Sequence, residues 1–334
     1  MASKSPLTPP ALAPTPPAHA GVAQLVEHQL PKLRVAGSNP VARSMIRNGI
    51  CRICPAFRQI AGPGAALAAL GRIDAMSPLL PAEGTGNMWS VTMGTMMRLY
   101  ILDLGKMQPG NIPVPGYLIQ TPDGLNILVD SGWPRSFVDN PRNPPGLSIE
   151  IRPEDIVSAR LAEIGLEPHD IDYLVCTHLD DDHSGNHDLF PEAELIVQRQ
   201  HHELAKGGHP RFAANRAIWD HPALRYRRVE GDGELVPGVM LLETSGHVPG
   251  HQSLLVRLPE TGPVVLAADA VMHSSMADAA TRPLFATDMD DEAGIRASTR
   301  KIAETAKREG ASLVVYGHDA DQWPTLRHAP EFYG

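Results

Sequence analysis

Cysteine is scarce in this sequence: three in 334 residues are too few for a disulfide framework. No run of about 18 apolar residues is present to span a bilayer. An excess of positive charge is also missing, because 29 Lys and Arg face 38 Asp and Glu. The resulting net charge of -9 leaves no basic field to hold a phosphate backbone. These absences exclude a disulfide-stapled secreted scaffold, and they make nucleic acid and membrane unexpected partners. A cytoplasmic protein is the expectation, with 43% hydrophobic residues to bury a core. Histidine is what the sequence has in abundance. Of 15 histidines, 13 fall between His169 and His328, where a metal site would draw on imidazole.

The chain reads as two unlike parts. Residues 1–95 hold eight basic and three acidic residues, open on a Pro-rich stretch from Pro6 to Pro17, and show no sustained period. They are expected to be a disordered or spurious extension, and residues 96–334 a catalytic domain. Gly21 to Ser44 resembles a translated transfer-RNA gene. Gln29-Leu30-Pro31-Lys32-Leu33 back-translates into flanks that are reverse complements, as an anticodon stem requires, and Gly37-Ser38-Asn39-Pro40 fits the usual T-loop sequence. A start at Met88, Met93, Met96 or Met97 is then expected, with a disordered leader or a targeting segment as alternatives. Cys51 and Cys54, a CxxC without a second pair, read as incidental.

From about Arg98 the pattern changes. Leu99–Leu104, Gly116–Gln120 and Asn126–Val129 read as strands, the last two joined by the turn Thr121-Pro122-Asp123-Gly124. A helix is expected over Pro153–Ile164, with Pro at its start and Glu154 and Asp155 in its first turn. Short apolar strands follow at Tyr173–Cys176, Leu195–Gln198, Met240–Thr244, Val264–Ala268 and Leu313–Tyr316, with a helix over Asp291–Arg308 before the last. Alternating strands and helices after an early hairpin point to a mixed α/β sandwich.

The strongest chemical signal is Thr177-His178-Leu179-Asp180-Asp181-Asp182-His183-Ser184-Gly185-Asn186, just after an apolar strand. Imidazole and carboxylate offered on one loop suit zinc, manganese or iron better than magnesium or calcium. Asp181 reads as a solvated loop charge. Three more apolar runs end on polar residues: His247 in Gly246-His247-Val248-Pro249-Gly250-His251, Asp269, and His318 in Gly317-His318-Asp319. They act together only if the fold brings them to one edge. Cys176, inside the apolar run, reads as core.

On these residues the chain from about Arg98 onward resembles the metallo-β-lactamase superfamily and, within it, the N-acyl homoserine lactonases. His178, Asp182 and His183 match the HxHxDH signature, and His247, Asp269 and His318 match the later ligands. Asp130-Ser131-Gly132 resembles the family's early Asp-Thr-Gly. The resemblance implies an αβ/βα four-layer sandwich with mixed β-sheets and two divalent metal ions, zinc first. It assigns His178, Asp180 and His247 to one ion and Asp182, His183 and His318 to the other, with Asp269 bridging. Asp130, His251 and Asp319 are expected to support the ligands. The sequence departs from the family pattern at two positions. Position 180 carries Asp in place of the second His, which favours iron or manganese more than an all-imidazole site would, and His187 is an alternative imidazole. Met272 stands where lactonases place a Tyr against the substrate carbonyl, leaving His273 or the metals to polarise it.

The implied reaction is ring opening of a lactone by a hydroxide bridging the two ions, with Asp182 able to pass a proton to the leaving oxygen. Phe137 and Trp219, in loop-like segments, are candidates for lining the acyl pocket. The partner is then a small lactone, and the chain a monomer or homodimer. Two alternatives stay open: hydrolysis of another lactone, pyridoxolactone-like or γ-lactone, since the tail Ala329–Gly334 resembles pyridoxolactonase relatives, and a redox metalloprotein of the same fold.

Overall fold

The computed structural model describes residues 96–143, 146–285, 287–290 and 292–334. The readings made for residues 1–95, including the transfer-RNA resemblance and the Cys51/Cys54 pair, lie outside them. One sheet contains β1 (Arg98–Gln108), β2 (Ile112–Gln120), β3 (Asn126–Val129), β4 (Ser148–Glu150), β5 (Tyr173–Val175), β6 (Glu194–Gln198) and β7 (Arg225–Val229), ordered β4-β1-β2-β3-β5-β6-β7. The other contains β8 (Gly233–Val236), β9 (Val239–Glu243), β10 (Gln252–Leu258), β11 (Gly262–Ala268) and β12 (Leu313–Tyr316), ordered β12-β11-β10-β9-β8. Both sheets are mixed: β3, β5, β6 and β7 run parallel, as do β11 and β12, and the remaining pairs are antiparallel.

Strand alternation builds the layers. On β1, Leu99 and Ile101 face the second sheet, joining Ile119, Val129, Val175 and Ile196 against Leu241, Leu254, Val256, Leu266 and Val315. Tyr100, Leu102 and Leu104 face the other way, into a cluster completed by Val157 and Leu161 of α1 (Val157–Glu163). A third cluster carries Ile302 of a long C-terminal helix, Glu292–Glu309, on the outer face of the second sheet. With period-2 side chains buried on both faces, each sheet needs a helical cover. The result is the four-layer αβ/βα sandwich with mixed sheets that the resemblance implied.

The hairpin is where the sequence placed it, with Gly124 at φ +87° closing a turn in which its N–H reaches Thr121 O at 3.0 Å. The helix expected from Pro153 is instead split. Pro153–Asp155 form a single 3-10 turn, because Asp155 turns back to accept from Arg152 N–H at 2.9 Å and Ile156 is extended at ψ 136°. No helix among the described residues is long and apolar enough to cross a membrane.

Candidate metal centre

Strand ends from both sheets meet at one edge of the sandwich and carry the polar residues there. Asp130 follows β3 at φ +59°, a conformation that costs a non-glycine residue energy and recurs at functional sites. Its carboxylate accepts from Thr177 N–H at 2.8 Å, from the Thr177 hydroxyl at 2.7 Å and from His183 Nδ1 at 2.8 Å. The Thr177 hydroxyl proton is thus committed to Asp130, so its oxygen accepts from His178 Nδ1 at 3.1 Å. His318 Nδ1 donates to Pro113 O at 2.8 Å, and His247 Nδ1 to Asp288 Oδ1 at 3.3 Å. An imidazole whose Nδ1 donates carries its lone pair on Nε2 when neutral. The four rings therefore present Nε2 lone pairs to a common centre.

Asp269 occupies that centre. Its Oδ1 lies 3.2 Å from His318 Nε2 and 3.5 Å from His183 Nε2, and its Oδ2 lies 3.5 Å from His247 Nε2 and 3.8 Å from His178 Nε2. Behind it, its backbone N–H donates to His251 Nε2 at 3.2 Å, and His251 Nδ1 meets Thr244 Oγ1 at 2.9 Å. Gly317 makes this approach possible, since a Cβ there would lie 2.8 Å from Asp269 Oδ1 and 2.6 Å from Ala268 O. Burial raises the Asp269 pKa, but the His318 and His183 rings, when they carry a proton in place of a metal ion, outweigh it and hold the carboxyl well below its usual range. Burial lowers the His178 pKa and keeps that ring neutral, as a ligand must be.

His178 Nε2, His183 Nε2 and Asp269 Oδ1 are buried without a hydrogen-bond partner. Three orphaned acceptors at one point are costly unless something positive joins them. A divalent cation fits: the ligand atoms of Asp182, His183 and His318, and those of His178, His183 and Asp269, each lie within 4.8 Å of one another. The atoms of His178, Asp180 and His247 are equally close. That third group is engaged by Arg211, whose Nε donates to Asp180 Oδ1 at 2.7 Å and whose Nη2 lies 2.5 Å from Asp180 Oδ2 and 2.8 Å from His247 Nε2. A metal ion does not fit there while the guanidinium stays.

Other expectations resolve differently. Phe137 is buried and stacks on Trp133 at 5.7 Å, and Trp219 is fully buried with Nε1 donating to Phe212 O at 2.9 Å. Both pack into the core, where their apolar area is removed from water, and Phe137 also borders a cavity shared with Val138, Pro141 and Ile149. Asp319 does not orient a metal ligand. Its carboxylate accepts from Ser274, Asp321 and Gln322 N–H and lies 3.0 Å from His273 Nε2. With its Nδ1 on Ser275, His273 has both ring nitrogens engaged and none left for a substrate carbonyl. Met272 contributes its backbone oxygen, which accepts from His318 N–H at 2.7 Å. His187 is buried outside the cluster. His201 is fully buried and ties Leu179 N–H at 2.9 Å to Pro249 O at 2.9 Å. Cys176 is core as expected: burial, then the Asp130 and Asp180 charges, push its thiol pKa far up. Three residues that sequence reasoning missed, Arg211, Thr177 and Asp288, hold the ligands. Only Thr177 had a signal, its place directly before His178.

The metallo-β-lactamase superfamily pattern matches residues 110–318. The chain is similar to the N-acyl homoserine lactonase AiiA of Bacillus thuringiensis subsp. kurstaki, 34% identical over 263 residues that make up 71% of this chain and 99% of the relative. The lactonase AttM of Azorhizobium caulinodans is also 34% identical, over 72% of this chain and 99% of its own. A solved N-acyl homoserine lactone hydrolase with N-hexanoyl-L-homoserine bound at its catalytic metal centre superposes with a TM-score of 0.64 at 32% identity. That likeness covers 72% of this chain and 100% of the other.

Proposed function

Because this chain belongs to the metallo-β-lactamase superfamily and to the N-acyl homoserine lactonases within it, we propose that it hydrolyses the ring ester of N-acyl homoserine lactones. The observation that carries the reading is the convergence of four Nδ1-anchored imidazoles on Asp269, in a chain whose relatives are lactonases over nearly their whole length. Asp182, His183, Asp269 and His318 would hold a divalent ion, zinc first, with iron or manganese as alternatives for so carboxylate-rich a set. Such an ion supplies Lewis acidity, polarising a carbonyl and acidifying water.

The protein's own groups do the rest. Asp130 and Thr177 fix the His183 and His178 rings before substrate arrives, so reorganisation is not charged to the reaction. Asp182 is the proton carrier: burial raises its carboxyl pKa, partly countered by His183 and His318. Water adds to the ring carbonyl and passes one proton to Asp182, the ring C–O bond breaks as Asp182 returns that proton to the leaving oxygen, and the second water proton is released to solvent, giving the open N-acyl homoserine carboxylate. The active domain is residues 96–334, in a cytoplasmic monomer or homodimer.

Proton release during turnover of short- and long-chain acyl homoserine lactones, with pyridoxolactone and γ-butyrolactone alongside, tests the substrate. The acyl homoserine lactones are expected to be opened with the highest kcat/KM. Preference for either comparator would replace this substrate assignment with another lactone. Removing residues 1–87 is expected to leave kcat/KM within about twofold of the full chain, as for changes remote from an independent core. A tenfold loss would show that the active domain extends into the removed segment.

A further inference from the structure

The Asp at position 180 and Arg211 explain one another. Arg211 is carried by the 3-10 turn Pro210–Phe212, which is anchored from behind: Phe212 is fully buried, packs edge-on against His201 at 4.9 Å, and its oxygen accepts from Trp219 Nε1. His201 in turn accepts from Leu179 N–H, the residue before Asp180. The guanidinium therefore meets the metal loop in a fixed register. It binds both oxygens of Asp180 in a two-point fork, donates to Thr287 O, and directs Nη2 at His247 Nε2. With His247 Nδ1 already donating to Asp288, Nε2 holds the ring's one available lone pair. That lone pair can accept the arginine N–H or bind a cation, but not both.

Charge leads to the same assignment. Asp180 is the one carboxylate of the His178–Asp180–His247 group, and the Arg211 guanidinium already pairs with both of its oxygens, so a divalent ion placed there as well would bring two positive charges with no unpaired carboxylate of that group to meet them. Two of the three orphaned atoms, His183 Nε2 and Asp269 Oδ1, lie in the half next to Asp182 and His318, whereas the third, His178 Nε2, lies 3.3 Å from Asp180 Oδ2, the carboxylate that the guanidinium holds.

We propose that Arg211 is the resident cation of the His178–Asp180–His247 half, so that the protein works with one divalent ion where the HxHxDH arrangement would gather two. Arg211 is a positioning residue: it holds Asp180 and His247 and places one positive charge where a second ion would otherwise sit. This inference rests on the metal-dependent reading above, and metal counting separates the two.

The test is elemental analysis of the full-length protein after equilibration in zinc-buffered solution and desalting, with circular dichroism as the fold control. The wild type is expected to hold one zinc per chain. Arg211→Met, which keeps an unbranched apolar stem and removes the guanidinium with its charge, is expected to hold two. Asp180→His, which releases the arginine and restores an imidazole, is expected to rise towards two by a separate route. A cobalt(II) titration followed by absorption should show one saturating step in the wild type and two in either variant. Two zinc ions per wild-type chain would overturn the proposal and leave the lactonase reading standing. Arg211→Met folded and still at one would overturn it as well. No bound metal in the wild type would remove both.

Discussion

Asp269→Ala is expected to lower kcat/KM by about 10³-fold or more and to remove the bound metal in the same step. Among the described residues, Asp269 is the one carboxylate within 4 Å of four imidazole Nε2 atoms, those of His178, His183, His247 and His318. Its removal leaves those lone pairs without the charge that makes a cation welcome. Asp269→Asn separates charge from shape, because the amide keeps the volume and places an N–H where an acceptor stood. Both variants should fail alike if charge is the requirement. The backbone is expected to hold, since the Asp269 N–H to His251 Nε2 contact does not depend on the side chain. Metal content, turnover and circular dichroism on the same samples decide the matter. Turnover within tenfold of wild type with metal retained would remove Asp269 from the centre.

Much of this arrangement was legible before any coordinates, for a simple reason. A strand buried on both faces must be apolar throughout, so the first polar residue after it marks where the chain leaves the core. Asp130, His178, Asp269 and His318 all stand at or just beyond such points, after β3, β5, β11 and β12. What sequence did not carry was orientation and long-range pairing. Phe137 and Trp219 end short helical turns in polar segments, and only tertiary packing decides that their rings turn inward. His201 and His202 lie in the polar run Arg-Gln-His-His-Glu, yet both are buried, because Leu179 N–H and Pro249 O replace water at His201 and Tyr226 packs on His202. The strand β7 was hidden by Arg225, Arg227 and Arg228, charges that suit the edge of a sheet and suppress an apolar pattern. Arg211 had no signal at all. Its ion pair spans 31 residues and ends on a 3-10 turn, where no period applies.

The second large effect concerns a residue without a side chain. At Gly185 an added Cβ would lie 2.2 Å from Pro134 N, 2.3 Å from Trp133 C and 2.4 Å from Gly132 O, all of them backbone. No rotamer change relieves a clash with main chain, so one of the two loops must move. They are joined closely here: Gly185 N–H donates to Gly132 O at 2.9 Å, Ser131 N–H to His183 O at 2.7 Å, and Asn186 Nδ2 to Ser131 O and Trp133 O. Gly185→Ala is therefore expected to cost about 3 kcal/mol, which lowers Tm by roughly 6–12 °C for a domain of this size. The same displacement pulls Asp130 from His183 Nδ1, so metal affinity should fall by about tenfold to a hundredfold, as when a supporting partner of a ligand is lost. Gly165→Ala provides the control, since its Cβ would meet nothing within 4 Å and the cost is confined to backbone strain at φ +81°. Thermal melts and zinc affinities of both variants separate crowding from strain. Equal losses in Tm, with zinc affinity unchanged at Gly185→Ala, would mean that the contact between the two loops does not set the geometry of the metal ligands.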